Sequence, residues 1–287
     1  MLPVFAGRPS HAGGLLFPGQ ETTVSVEFLY DEPASEILLQ LFGLLIVGTE
    51  LGFRLGRWQS PSRSETVRGQ VHNIQGTLMG LLALLLGFTF AMAVSRFDNR
   101  RHMVVKEANA IGTAALRAHV LPAAQQAEMR DLFRRYVDVR VDAGHEDTMP
   151  KPERDALDAK AHELQGRLFD HAASAAAADP HSVAAGLLLS AMNDVIDVKA
   201  ERDASLANHV PESVLLLLFA FAVVASGILG YSTGLAGARI IGMPAAFALL
   251  VTLVLMVILD LDRPRRGFIL VGQESMIALQ RSLETSK

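Results

Sequence analysis

The side chains best able to do chemistry lie in two dense charged runs. The first is Arg96-Phe97-Asp98-Asn99-Arg100-Arg101, followed by Glu107-Ala108-Asn109-Ala110-Ile111-Gly112-Thr113. The second is Asp260-Leu261-Asp262-Arg263-Pro264-Arg265-Arg266-Gly267. Two chemistries fit them. Asp260 and Asp262 can pair with Arg96, Arg100 or Arg101 in an interhelical salt-bridge network, with Asp98 and Arg263 beside it. Alternatively, the carboxylates form an acidic cation-sensing site, because hard cations such as calcium take carboxylate oxygens. The nine histidines are scattered. His162-Glu163 opens like a zinc-protease motif, but Gly166 stands where the second His is required. His171 and His181 do not share one helical face. Cysteine is absent, which excludes disulfides, thiolate zinc sites and cysteine nucleophiles. No Gly-rich phosphate loop or nucleophile elbow occurs. The sequence therefore predicts no enzyme, no cofactor and no bound metal.

The elements that position these runs follow from composition. Half of the 287 residues are hydrophobic, 20% are charged and the net charge is −4, with a mean hydropathy of +0.29. Such a chain is not disordered, and it lacks the basic field of a nucleic-acid binder. Four stretches are long and apolar enough to cross a bilayer: Ile37 to Phe53, Ile74 to Val94, Val214 to Tyr231 and Ile241 to Leu259. Segment 1–34 is broken by Pro and Gly and predicts an irregular tail without a signal peptide. Spans one and two then occupy 35–95, a polar helical domain 96–210, spans three and four 211–260, and a last segment 261–287. Nine Lys or Arg residues flank the spans on the side of both termini and the insertion, against five on the other. That bias predicts a cytoplasmic insertion and cytoplasmic termini, in a cell inner membrane.

The spans carry close-packing faces. Small residues recur at Gly48, Gly52 and Gly56, at Gly76, Gly80, Ala83, Gly87 and Ala91, and at Ala222, Ser226, Gly230 and Gly234. Such stripes let helix backbones approach closely in lipid. They fit either a tight monomeric four-helix bundle or an oligomer packed between subunits. Opposite the small stripe of the second span lie Leu78, Leu82, Leu85, Thr89, Met92 and Arg96, with Arg100 continuing the face. In an oligomeric pore this face would form an apolar constriction above a ring of Arg, and basic rings favour anions. The plainer alternative is lipid contact, with Arg96 snorkelling to the headgroups. Asp98 and Arg101 fall on the small side, which would meet other helices. Glu50, near the end of the first span, has Arg54 one turn on and reads as an interfacial ion pair.

The insertion reads as helices. From Ser95 to Leu121 no Pro intervenes, and Phe97, Val104, Ala108, Ile111 and Ala115 keep a helical stripe. The second span should therefore run on as one rod of about 70 Å. Further helices are predicted over Ala123 to Val141, Pro152 to Ala178 and, capped by Ser182, up to Ala207. Their apolar stripes are Met129, Leu132, Phe133 and Tyr136; Leu157, Ala161, Leu164 and Leu168; and Leu188, Met192, Val195 and Ile196. No strand pattern occurs.

The two charged runs, with Leu259 heading the second, resemble the signature stretches of the bestrophin-like domain family, a group of bacterial membrane proteins. The resemblance covers about Ser35 to Leu283. It implies kinship with bestrophins, which are pentameric anion channels with four spans, cytoplasmic termini, a helical domain between spans two and three, and a pore lined by the second span. The expected fold is thus an all-α membrane protein with four transmembrane helices and a cytoplasmic helical bundle inserted between the second and third. The expected function is a homo-oligomer, a pentamer by the resemblance, that passively conducts small inorganic anions such as chloride. The alternative is a non-conducting scaffold or sensor whose insertion recruits a partner.

Overall fold

A computed structural model describes residues 34–60, 64–144, 149–237, 239, 242–263 and 269–285. The tail 1–33 and the stretch Pro264-Arg265-Arg266-Gly267 lie outside the described residues. Eight α-helices account for most of the rest: α1 (Ala34–Gln59), α2 (Glu65–Arg117), α3 (Ala123–Asp142), α4 (Lys151–Ala178), α5 (Val183–Ala207), α6 (Glu212–Ala236), α7 (Gly242–Asp262) and α8 (Glu274–Thr285). Among the described residues there is no strand. α1, α2, α6 and α7 carry the runs long and apolar enough to cross a membrane.

α2 is the axis of the molecule. Its 53 residues make a rod of about 80 Å, which starts earlier than the apolar run and does not stop where it ends. Pro122 terminates it after a single 3-10 turn, Ala118–Val120. Along this rod two cores form. In the apolar half, Leu82 and Ala93 of α2 bury against Leu41 and Leu45 of α1, Leu215, Leu218 and Ala222 of α6, and Leu255 and Ile258 of α7. In the polar half, Ala108, Ile111 and Ala114 of α2 bury against α3, α4 and α5. The three helices present the stripes expected of them: Tyr136, Leu168 and Met192, for example, are fully enclosed. Ser182 caps α5 by accepting a hydrogen bond from the Ala185 amide at 3.2 Å. α8 was not legible as a helix. It closes the polar core with Met276 and Leu283 and is tethered by Arg134, whose Nε donates to the Leu283 carbonyl at 2.8 Å.

The glycine stripes sort unequally. Those of α1 and α6 face each other, and the backbones meet directly. A Cβ at Gly52 would fall 1.9 Å from the Gly227 carbonyl oxygen, and one at Gly230 would fall 2.0 Å from that of Thr49. Among the described residues the stripe of α2 meets nothing: a Cβ at Gly76, Gly80 or Gly87 has open space around it. Within the subunit, the large face of α2 turns inward instead. Leu side chains fill the gaps left between three other helices, whereas a glycine face leaves a void there.

Gly52→Ala should therefore lower thermal stability in detergent by about 1–3 kcal/mol through overpacking. Gly80→Ala should leave it within error. Equal effects in a melting experiment would refute the assignment of the two stripes.

Candidate functional site

The first charged run and the end of the second meet at the junction of the two cores. Arg100 is 1% exposed. α2 delivers it nearly two turns past the apolar stretch, between the C-termini of α5 and α7. Both helix ends leave carbonyls without an intrahelical partner, and Arg100 satisfies them. Its Nη1 donates to the Leu261 carbonyl at 3.1 Å. Its Nη2 donates to those of Asn208 at 2.9 Å and Asp262 at 3.1 Å. The Asp262 carboxylate stands 3.7 Å away and accepts the Val210 amide at 2.8 Å. That bond fixes the turn before Pro211, where α5 hands over to α6. His209 Nδ1 lies 3.1 Å from the Asp262 carbonyl, and Arg96 donates to the Asn208 side chain.

The predicted site residues separate accordingly. Arg100 and Asp262 come together as an ion pair, and Arg263 is 5% exposed. Asp260 is half-buried and accepts the Ile269 amide at 2.8 Å. Asp98 and Arg101 are exposed within their own chain. Of the face proposed to line a pore, Leu82 and Thr89 are 2% and 3% exposed within their own chain. Leu78, Leu85, Met92 and Arg96 are half-buried. Thr89 donates to the Leu85 carbonyl at 2.8 Å. At the opposite end of the spans, Glu50 joins Arg54 at 2.8 Å and Arg239 at 3.2 Å, with Arg239 5.5 Å from the Phe53 ring centroid.

A second constellation lies in the polar core, and the sequence reading assigned it no role. Glu107 is fully buried between Arg140, at 2.6 Å, and Arg202. Lys199, 2% exposed, bridges Asp158 at 2.9 Å and Asp203 at 2.7 Å. Burial opposes the charge on Arg140, but the Glu107 carboxylate outweighs it and raises the guanidinium above its ordinary value. Burial and then Glu107 push the Tyr136 phenol up. Burial also pushes the Asp158 carboxyl up, but the Lys199 ammonium outweighs that and holds it below the usual value. The signal for these residues was present: Arg140, Lys199 and Arg202 continue the apolar stripes of α3 and α5. A charge on a core-facing stripe demands a buried partner.

Arg100→Gln should cost about 3–5 kcal/mol, because it strands a buried carboxylate and several carbonyls. Arg101→Gln should stay within about 0.5 kcal/mol. Comparable melting points for the two variants would contradict the junction described here. The bridge between Lys199 and Asp158 adds a pH dependence. A lowered folded value means the contribution is present above the ordinary carboxylate range of about 4 and is lost as pH falls through the lowered value. Between pH 6 and pH 3.5 the protein should lose stability, and Asp158→Asn should lose less, by under about 1 kcal/mol because the group is half exposed. Identical pH profiles by thermal denaturation would exclude the bridge.

No curated protein matches the chain. Solved structures do share the fold. A membrane protein solved by crystallography is 16% identical, with a TM-score of 0.62, over 86% of this chain and 96% of that one. Two variants of a bacterial bestrophin homologue from Klebsiella pneumoniae are 17% and 16% identical, with TM-scores of 0.59 and 0.58. They match over 86% and 85% of this chain and 97% and 98% of theirs. The profile of the bestrophin-like domain matches residues 37–276, which span both charged runs, the junction they build and all four long apolar helices: the chain belongs to the bestrophin-like domain family.

Proposed function

We infer that the protein is a homo-oligomeric passive conductor of small anions, with the α3–α5 bundle and both termini on the cytoplasmic side of a bacterial inner membrane. The observation that carries this reading is the face of α2 that is unpartnered among the described residues. Gly76, Gly80, Ala83, Gly87 and Ala91 point away from the subunit's own core, on the helix that runs through both halves of the molecule. Copies arranged about an axis would bring this face to the centre, where its lack of bulky side chains leaves room for a lumen. Further along the helix the same sector holds Asp98 and Arg101.

The conduit is therefore assigned to the small face rather than to Leu82, Thr89 and Arg100, whose side chains are enclosed within one chain. Arg101 takes the part of the basic ring that Arg96 and Arg100 were expected to supply, and Asp98 sets an opposing charge one turn before it. Rings of charge of one sign at a narrow mouth decide which ions enter. The bacterial bestrophin homologues of the same fold and the family membership support a channel of this kind.

Chloride and potassium flux through the purified oligomer in liposomes tests it. Gly87→Leu should reduce chloride flux by about tenfold or more without changing the oligomer mass, since a side chain there fills the lumen. Arg101→Gln should move the reversal potential toward cations, and Asp98→Asn should move it toward anions. A folded oligomer that passes neither ion at any voltage would leave the non-conducting scaffold as the reading.

A further inference from the structure

An open cavity of about 300 Å³ lies between α3, α4 and α5. Its walls are almost entirely charged, and their balance can be worked out. Glu107 faces two guanidinium groups, Arg140 and Arg202, which leaves one positive charge over. Lys199 faces two carboxylates, Asp158 and Asp203, which leaves one negative charge over. These cancel. Among the described residues, the remaining lining charges are Lys151, Arg154 and Asp155, so the described lining is net cationic.

Donors are also left over. Arg140 gives its Nε and Nη2 to Glu107, so its Nη1 is available to a further acceptor. Arg202 gives Nη1 to Glu107 and Nη2 to Gln273, leaving Nε. The Nε of Arg154 is buried without a hydrogen bond, which is costly unless something fills the space beside it. Lys151 and Arg154 stand in the first turn of α4, where the helix dipole further favours an anion. Arg140 and Arg202 cannot swing away, because Glu107 holds each of them at another nitrogen. The donors are thus fixed before any ligand arrives, which reduces the entropy lost on binding.

We propose that this cavity binds the phosphoryl group of a small water-soluble phosphate ester, held by Lys151, Arg154 and the remaining N–H donors of Arg140 and Arg202. A tetrahedral phosphate accepts from several such donors at once, and planar guanidinium groups match its oxygen pairs. A cavity of this size holds more than the phosphate itself. Asp155 and Asp203 on the wall can accept from hydroxyl groups on the rest of the ligand. The inference does not rest on ion conduction, since binding is read on detergent-solubilised protein without a membrane gradient.

Titration calorimetry on the full chain tests it, with inorganic phosphate and glycerol 3-phosphate as probes at constant ionic strength. One saturable site per chain is expected, with glycerol 3-phosphate the tighter. The Lys151→Gln/Arg154→Gln double variant should weaken binding about tenfold or more through loss of the charge-assisted bonds. Both positions tolerate replacement, because neither holds the core. Arg135→Gln, an exposed arginine elsewhere on α3 paired with Asp131, should leave affinity unchanged. No saturable binding in the low millimolar range overturns the proposal, as does equal affinity of the double variant and the control. Displacement by a short-chain phosphatidylglycerol but not by glycerol 3-phosphate also overturns it, by assigning the cavity to a lipid headgroup.

Discussion

One guanidinium holds the two halves of this protein in register. Arg100 reaches carbonyls at the C-terminal ends of α5 and α7 from the middle of α2, and Asp262 completes the exchange by fixing the Val210 amide. Buried helix ends must be satisfied, and here a side chain takes the place of water. Three segments that are remote in sequence are thereby fixed at one point, just where the apolar core gives way to the polar one. A lysine could not replace it, since a point charge does not reach several carbonyls in a plane.

On the membrane-length side of that point, the packing rests on backbone proximity rather than side-chain bulk. α1 and α6 come so close that a methyl group at Gly52 or Gly230 would overlap a carbonyl. Dispersion contacts and close backbone approach replace the hydrophobic effect as the source of helix association in lipid. With α1 and α6 joined in this way, the leucines of α2 supply the volume that seals the subunit, and its glycines are left facing out. The same rod then carries Glu107 into the second core, where one carboxylate holds two arginines and so links α2 to α3 and α5.

The two networks share a design. In each, a charge on α2 falls inside the chain on a helix face that is otherwise apolar, and its partners arrive from helices more than thirty residues away. Breaking such a pair is costly because the charge left behind has no water. α2 is thereby tied at two buried points, one at the junction and one in the polar core. The cationic cavity beside α5 is a few residues from the Asn208 carbonyl that Arg100 holds.

Much of this architecture is written in the sequence. The four apolar runs, the continuous helix past Val94, the stripes of α3, α4 and α5, and the Ser182 cap are local properties, set by period, length and breakers within one segment. Charge clustering at Arg96 to Arg101 and at Asp260 to Arg263 marked the junction. Tertiary structure alone decided which faces pair. Periodicity fixes the angle between two stripes on a helix but not which of them turns inward, and the glycines of α2 and of α1 look alike until their neighbours are in place. It also decided that Arg100 binds carbonyls more than it binds carboxylates, because backbone acceptors at a helix end have no signature in residue type. The burial of Glu107 between Arg140 and Arg202, and the folding of α8 onto the bundle, belong to the same class: they depend on partners brought together only by the fold.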